Sequence, residues 1–303
     1  MKLYPTSALD FQDMFPTEKA CTEYLNMVRW PEGFVCPNCK HVESWELGSG
    51  LLRCRGCRRD ISVTAGTIFQ DSHLPLRLWF LALWYVVCQK QGVSALALKG
   101  ILGLGSYKTA WTCLHKLRRA MVRPGRDRLS GVVEVDEILI GGLHKGAKGR
   151  GTFKKAVVLV AVEDKEGQNI GRIRLAHIAN ASHASIVEAL KEMIEPGSVV
   201  RTDKWQGYAG LTRDGYDHVT IGKETAPDQE NLTPLVHRIA SLLKRWLLNT
   251  HQGGVQHSHL AYYLDEFVFR FNRRSSRSRG LLFYRLVQNG LAAPPSPASR
   301  LVA

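Results

Sequence analysis

Apolar residues recur at helical spacing through the first thirty positions: Phe11, Met14 and Phe15, then Cys21, Tyr24, Leu25 and Val28. Pro16 separates the two groups and Thr17 is placed to cap the second, so residues 1–30 read as an amphipathic helical segment. From Leu78 to Cys88 every residue is apolar. A helix that is hydrophobic all round is a buried one, and Leu74-Pro75-Leu76 is its start. Gly92-Val93-Ser94 then opens a short helix from Ala95 to Leu102. After the turn Gly103-Leu104-Gly105, Ser106 can cap a longer helix with Tyr107, Ala110, Trp111, Leu114 and Leu117 on one face. Beyond residue 130 the pattern changes to β. Gly131–Ile140 and Ala156–Val162 read as buried strands and Ile170–Ile178 as a third. Ser182 caps a helix from Ala184 to Ile194, which Pro196-Gly197 ends. Ser198–Asp203 and His218–Ile221 supply two more strands, and a long helix begins near Leu232.

Three strands, a helix, further strands and a long helix fit an α/β domain of ribonuclease H-like fold, whose metal-binding carboxylates lie on its central strands. The expected organisation is a helical segment (1–30), a small unit that holds four of the cysteines (31–70), a helix-turn-helix-like unit (73–127), the ribonuclease H-like domain (130–288) and a flexible tail (289–303). The short helix, glycine turn and longer helix at 95–117 suggest a DNA-reading unit, with Tyr107 and Lys108 in its first turn.

Two charges are out of place in this pattern. Asp136 sits inside the apolar run Gly131–Ile140, where an unpaired carboxylate is costly. Asp203 ends another apolar strand. Two strand-borne aspartates far apart in sequence are a candidate metal site. Glu137 alternates away from Asp136 and should face the other side of the sheet. His237, Ser241, Lys244 and Leu248 share one face of the long helix, so an imidazole and an ammonium could be presented together.

The seven cysteines point elsewhere. Cys36-Pro37-Asn38-Cys39 and Cys54-Arg55-Gly56-Cys57 form two C-x-x-C knuckles separated by fourteen residues. That spacing suits tetrahedral Zn²⁺, with a hairpin between the knuckles, followed by a strand-like segment at 60–69. Arg53, Arg55, Arg58 and Arg59 cluster on the second knuckle.

Charge then narrows the partner. Lys and Arg number 41 against 27 Asp and Glu, a net charge of +14. A balance this basic suits a polyanion. Arg118, Arg119, Arg123, Arg126 and Arg128, and later Arg270, Arg273, Arg274, Arg277 and Arg279, extend the basic stretches. The Gly-rich segment His144–Gly151 reads as a phosphate-touching loop without the P-loop spacing. Met1–Asp10 lacks a signal-peptide core, and the apolar run at 78–88 is too short to span a bilayer, so a cytoplasmic protein with no membrane partner is expected.

Together these motifs resemble the bacterial insertion-sequence transposases that carry an N-terminal zinc ribbon and a DDE-type catalytic domain. The matching residues are the two knuckles, Ser62–Phe69, Val135-Asp136-Glu137 with Gly141-Gly142, Thr202-Asp203 with Trp205 and Gly207-Tyr208, Val236-His237, Leu243-Lys244-Arg245, and Tyr263–Arg274. The resemblance covers residues 10 to 288 or so. It implies metal-dependent DNA cleavage and strand transfer at the inverted-repeat ends of the element, with two Mg²⁺ or Mn²⁺ ions and a dimer or larger assembly on double-stranded DNA. It also implies Asp136, Asp203 and His237 as the ligands and Lys244 and Arg245 as phosphate contacts. His237 stands where the plain pattern has Glu, and Glu137 and Glu266 remain as alternative third ligands. Glu266 is also spaced to pair with Arg270 at i+4. A DNA-binding protein without activity and a structure-selective nuclease are the alternative functions.

Overall fold

A computed structural model of the chain describes residues 3–123, 125–141, 155–165, 169–222, 232–252 and 255–297. The chain forms two compact units, Met1–Pro124 together with Ser276–Ala303, and Gly125–Ser275.

The first unit begins with α1 (Ala8–Met14) and α2 (Glu18–Arg29), whose N-termini are capped by the side chains of Ser7 and Thr17. The ribbon follows as a three-stranded antiparallel sheet in the order β1 (Ser44–Glu46), β2 (Leu52–Cys54) and β3 (Asp60–Ile61). The expected strand over 60–69 therefore stops at Ile61. Hydroxyls divert the backbone: Ser62 Oγ accepts the Thr64 N–H at 3.2 Å, and Thr67 Oγ1 donates to the Thr64 carbonyl at 2.6 Å. These local bonds favour turns over a ladder. Three helices complete this stretch: α3 (Leu76–Cys88), α4 (Ala95–Ile101) and α5 (Tyr107–Ala120), the last two capped by Ser94 and Ser106.

The second unit holds β4 (Val132–Ile140), β5 (Ala156–Lys165), β6 (Asn169–Ile178), α6 (His183–Met193), β7 (Val199–Thr202), β8 (Asp217–Thr220), α7 (Pro234–His251) and α8 (His257–Asn272). The sheet order is β6-β5-β4-β7-β8. β4, β5 and β6 are antiparallel neighbours, whereas β7 runs parallel to both β4 and β8. This mixed topology is the ribonuclease H-like arrangement that the strand and helix order predicts. Alternation along the strands feeds two cores. Val133, Val135, Leu159 and Ala161 pack with Ile186 and Leu190 of α6. Val158, Val160 and Val162 pack with Val236, Ile239 and Leu243 of α7 and with Leu264 and Phe267 of α8.

The chain then returns to the first unit with α9 (Arg279–Ala292), a helix expected in the catalytic domain. Phe283 explains its place: fully buried, it meets the rings of Phe11, Phe15, Tyr24, Phe80 and Trp84 within 6.2 Å. Gly280 is required here, because a Cβ would lie 1.7 Å from the Pro5 carbonyl oxygen. The segment expected as a flexible tail is packed as far as it is described: Ser296 is buried and its Oγ accepts from Arg119 at 2.9 Å. Residues 298–303 lie outside the described residues.

Candidate active site

Register places the two aspartates. β4 pairs in parallel with β7 through Val132–Val199, Val133–Val200 and Glu134–Arg201. Two residues beyond the last of these pairs lie Asp136 and Asp203, so both carboxylates stand just past the carboxyl end of the β4–β7 parallel pairing. That edge is where open α/β sheets bind ligands. Asp203 stands just past β7, and its Oδ1 accepts the Trp205 N–H at 2.9 Å, a local turn that re-aims the chain. Asp136 has only 14% of its side chain exposed. Burial is the chief reason its carboxyl titrates above the ordinary range; the Thr233 hydroxyl opposes that rise, and the charges of Glu137 and Asp203 add to it. A buried carboxylate beside a second one is a group that a cation would relieve.

α7 brings the third residue. His237 Nε2 lies 3.8 Å from Asp136 Oδ2, and the imidazole is 58% exposed. His237, Ser241, Lys244 and Leu248 are all exposed, as their shared helical face requires. Lys244 is seven residues on, about 10 Å along the axis from His237. Arg245 beside it is also exposed.

Two contacts fasten the start of α7 to β4. Thr233, at the N-cap, donates Oγ1–H to Asp136 Oδ2 at 2.8 Å instead of capping its own helix. Glu134 Oε1 accepts the Val236 N–H at 2.7 Å. Glu134 is 5% exposed, and burial lifts its carboxyl to about 7 despite the N–H groups of Val236 and Leu235. Sequence reasoning missed both residues. Glu134 was accessible to it, since a period of two puts Glu134 on the face of Asp136; Thr233 left no such signal.

The alternative third ligands go elsewhere. Glu137 faces the α6 side, where Tyr208 donates to its Oε2 at 2.7 Å. Glu266 is 1% exposed and holds Arg270 at 2.7 Å, the i+4 pair expected from the sequence. The Trp205-Gln206-Gly207-Tyr208 turn is structural support. Trp205 Nε1 donates to the Ala181 carbonyl at 2.9 Å, and a Cβ at Gly207 would sit 2.6 Å from that same oxygen.

The four ribbon cysteines come together. Cys36 and Cys57 sulfurs are 3.7 Å apart, Cys39 and Cys54 sulfurs 3.5 Å apart, and all four lie within 4.8 Å of one another. Tetrahedral Zn–S bonds of about 2.3 Å need sulfurs about 3.8 Å apart, so the donor set fits structural zinc. The Arg59 backbone N–H, with the neighbouring thiols, holds Cys57 down at about 6 against the cost of burial.

The basic residues divide. Arg55 and Arg58 both lie over the ring of half-exposed Trp45, at 5.3 and 4.7 Å from its centroid. Arg53 is instead held bidentately by Asp60, and Arg59 donates to Asn38. Tyr107 and Lys108 are exposed on the first turn of α5, but Arg118 is 2% exposed and so lies inside the unit, not on its basic surface. Arg273 stacks on Phe269 and Arg274 on Phe271; Arg274 also donates to the carbonyls of Ile170 and Gly171. These two arginines fasten α8 as well as carrying charge. The Gly-rich segment at 144–151 lies outside the described residues.

Comparison with known proteins agrees with this layout. Residues 128–272 match the ISXO2-like transposase domain, and residues 16–60 match the transposase zinc-ribbon domain. An uncharacterized protein in transposable element ISH50 of Halobacterium salinarum is 28% identical over 278 residues, covering 84% of this chain and 91% of that one. An uncharacterized transposase-like protein of Haemophilus influenzae is 25% identical over 115 residues, covering 38% of this chain and 92% of its own. Among solved structures, the catalytic core domain of BIV integrase is similar at a TM-score of 0.32 and 14% identity, covering 49% of this chain and 86% of that one. Among the described residues no helix is long and apolar enough to cross a membrane.

Proposed function

Because the chain belongs to the ISXO2-like transposases with an N-terminal zinc ribbon, we propose that it cuts and rejoins DNA at the inverted-repeat ends of its own insertion sequence. Asp136, Asp203 and His237 are the ligands for the catalytic metal. The observation that supports this is the register of β4 and β7, which brings Asp136 and Asp203 to corresponding positions two residues past the Glu134–Arg201 pair, with an imidazole 3.8 Å from Asp136.

Divalent ions, Mg²⁺ or Mn²⁺, when bound would supply Lewis acidity at the scissile phosphate and an activated water or 3′-hydroxyl. The protein's own part is positional. Asp136, on β4 under the start of α7, would hold the metal together with Asp203 and His237. The imidazole must be neutral to ligate, and it is a softer donor than a carboxylate, which favours Mn²⁺ relative to a site with Glu there. Lys244 and Arg245 on the exposed face of α7 hold the flanking phosphates. Arg55 and Arg58 beside Trp45, and Tyr107 with Lys108 on α5, contact the terminal repeats. Holding two ends at once calls for at least a homodimer on DNA.

Purified protein incubated with labelled element ends and Mn²⁺ or Mg²⁺, followed by mapping of the cut strands, tests this reading. Cleavage and joined products, both absent in Asp136→Ala and Asp203→Ala, are expected. Strand transfer retained by either variant would overturn the assignment. Cutting of branched DNA without joining would mark a structure-selective nuclease instead, and specific binding without cutting would mark a DNA-binding protein.

A further inference from the structure

We infer that Glu134 is a positioning residue for the metal site: as a cap supplied from β4, it sets where α7 carries His237. The inference rests on the reading of Asp136 and His237 as metal ligands, and it assigns a role to a carboxylate that this reading leaves unused.

The first N–H groups of a helix need acceptors, and an N-cap hydroxyl normally supplies one. In α7 the N-cap is Thr233, whose hydroxyl is turned away to Asp136. The vacated role falls to Glu134 from another element. Its Oε1 accepts the Val236 N–H at 2.7 Å, and the Leu235 N–H also favours its charged form. A carboxylate at a helix N-terminus is favoured by the helix dipole as well as by the hydrogen bonds. Buried at 5% exposure, Glu134 has no alternative acceptor role toward bulk water.

The consequence is geometric. Glu134 and Asp136 stand two residues apart on one face of β4. Val236 and His237 are consecutive at the start of α7. The two contacts, Glu134 to Val236 and Asp136 to Thr233, therefore fix both the height and the rotation of the first turn over the strand. Those two variables determine the 3.8 Å separation of His237 Nε2 from Asp136 Oδ2. Loss of the Glu134 cap frees α7 to shift while Asp136 and His237 keep their chemistry. Outer residues that orient metal ligands typically change affinity by about 10–100-fold when removed.

The test is Mn²⁺ affinity of the full-length, zinc-loaded protein, measured by electron paramagnetic resonance at a temperature well below unfolding. Wild type, Glu134→Gln, Glu134→Ala and Asp136→Ala are compared. Gln keeps one oxygen acceptor for the α7 N–H groups, so a loss of about 3-fold is expected for it and about 10-fold or more for Ala. Melting temperature is recorded for each variant, because a merely structural residue lowers it without changing the affinity of the folded protein. Wild-type affinity in folded Glu134→Ala would overturn the inference and leave the proposed function standing. Absence of Asp136-dependent Mn²⁺ binding in wild type would overturn both.

Discussion

The zinc ribbon gathers four cysteines and the α/β unit, as we propose, two aspartates and a histidine for metal, and the two do so in opposite ways. In the ribbon the cysteines are nearly all the core there is: Cys36, Cys54 and Ile61 are its buried cluster, with Trp30, Phe34 and Cys57 against it. Such a unit cannot offset its chain entropy without the ion, so metal binding is folding free energy. In the α/β unit the sheet is already covered on both faces by α6, α7 and α8. Asp136 is held there at a cost, shown by the upward displacement of its carboxyl by burial. One region needs its metal to exist as a fold; the other is a fold formed without one, on which the proposed metal would sit.

The comparison breaks if both regions respond alike to loss of metal. Chelation of zinc, or Cys36→Ser, should unfold the ribbon outright, since structural zinc sites contribute about 10–16 kcal/mol in isolated fingers. Hydrogen exchange would show loss of protection at Leu52–Cys54 with the amides of β4 and β5 unchanged. Loss of protection in both places would contradict the contrast.

A second, smaller effect sharpens the boundary between the units. Phe283→Ala should cost about 3–5 kcal/mol, as for other buried aromatics. Because Phe283 packs against Phe11, Phe15, Phe80 and Trp84, calorimetry should show the loss in the transition of the first unit. A shift of the α/β transition instead would restore α9 to the catalytic domain.

Smaller again is the expected removal of Asp136 from the metal-free protein. Asp136→Asn should melt at or slightly above the wild-type temperature, because it deletes one of several mutually repelling buried carboxylates. A marked drop would show that the carboxylate supports the fold itself.

The smallest effect concerns Asp265, remote from these sites, whose carboxyl burial lifts to about 6 although Arg126 lies 3.7 Å away. Its folded pKa is above its unfolded value of 3.8, so the folded state binds the extra proton between those values. Stability from this group is present at low pH and is lost as pH rises through that window. Asp265→Asn should therefore gain about 1 kcal/mol relative to wild type at pH 7 and flatten the pH dependence between about 4 and 6.

Much of this architecture was legible because it rests on local rules. Short apolar runs rich in β-branched residues located the strands of the α/β sheet, and Thr17, Ser94 and Ser106 marked helix starts where the caps are found. Cysteine spacing located the ribbon and its donors. What escaped was set by long-range packing. Nothing near Arg279 announces that α9 joins helices from the beginning of the chain; only the ring cluster around Phe283 decides it. Val63, Thr64, Thr67 and Ile68 look like a strand, yet the hydroxyl bonds of Ser62 and Thr67 make turns. At the site, Asp136 was conspicuous as a charge among apolar neighbours. Glu134 was equally anomalous in the same run, but its partner is a backbone N–H a hundred residues away, which no side-chain pattern encodes.

The central claim is that Asp136, Asp203 and His237 hold one divalent-metal centre. Pulsed electron paramagnetic resonance of the Mn²⁺-loaded protein addresses His237 directly. A nitrogen coupling to Mn²⁺ that is present in wild type and lost in His237→Ala is the predicted result. Mn²⁺ bound with no nitrogen coupling, or a coupling that survives His237→Ala, would contradict it.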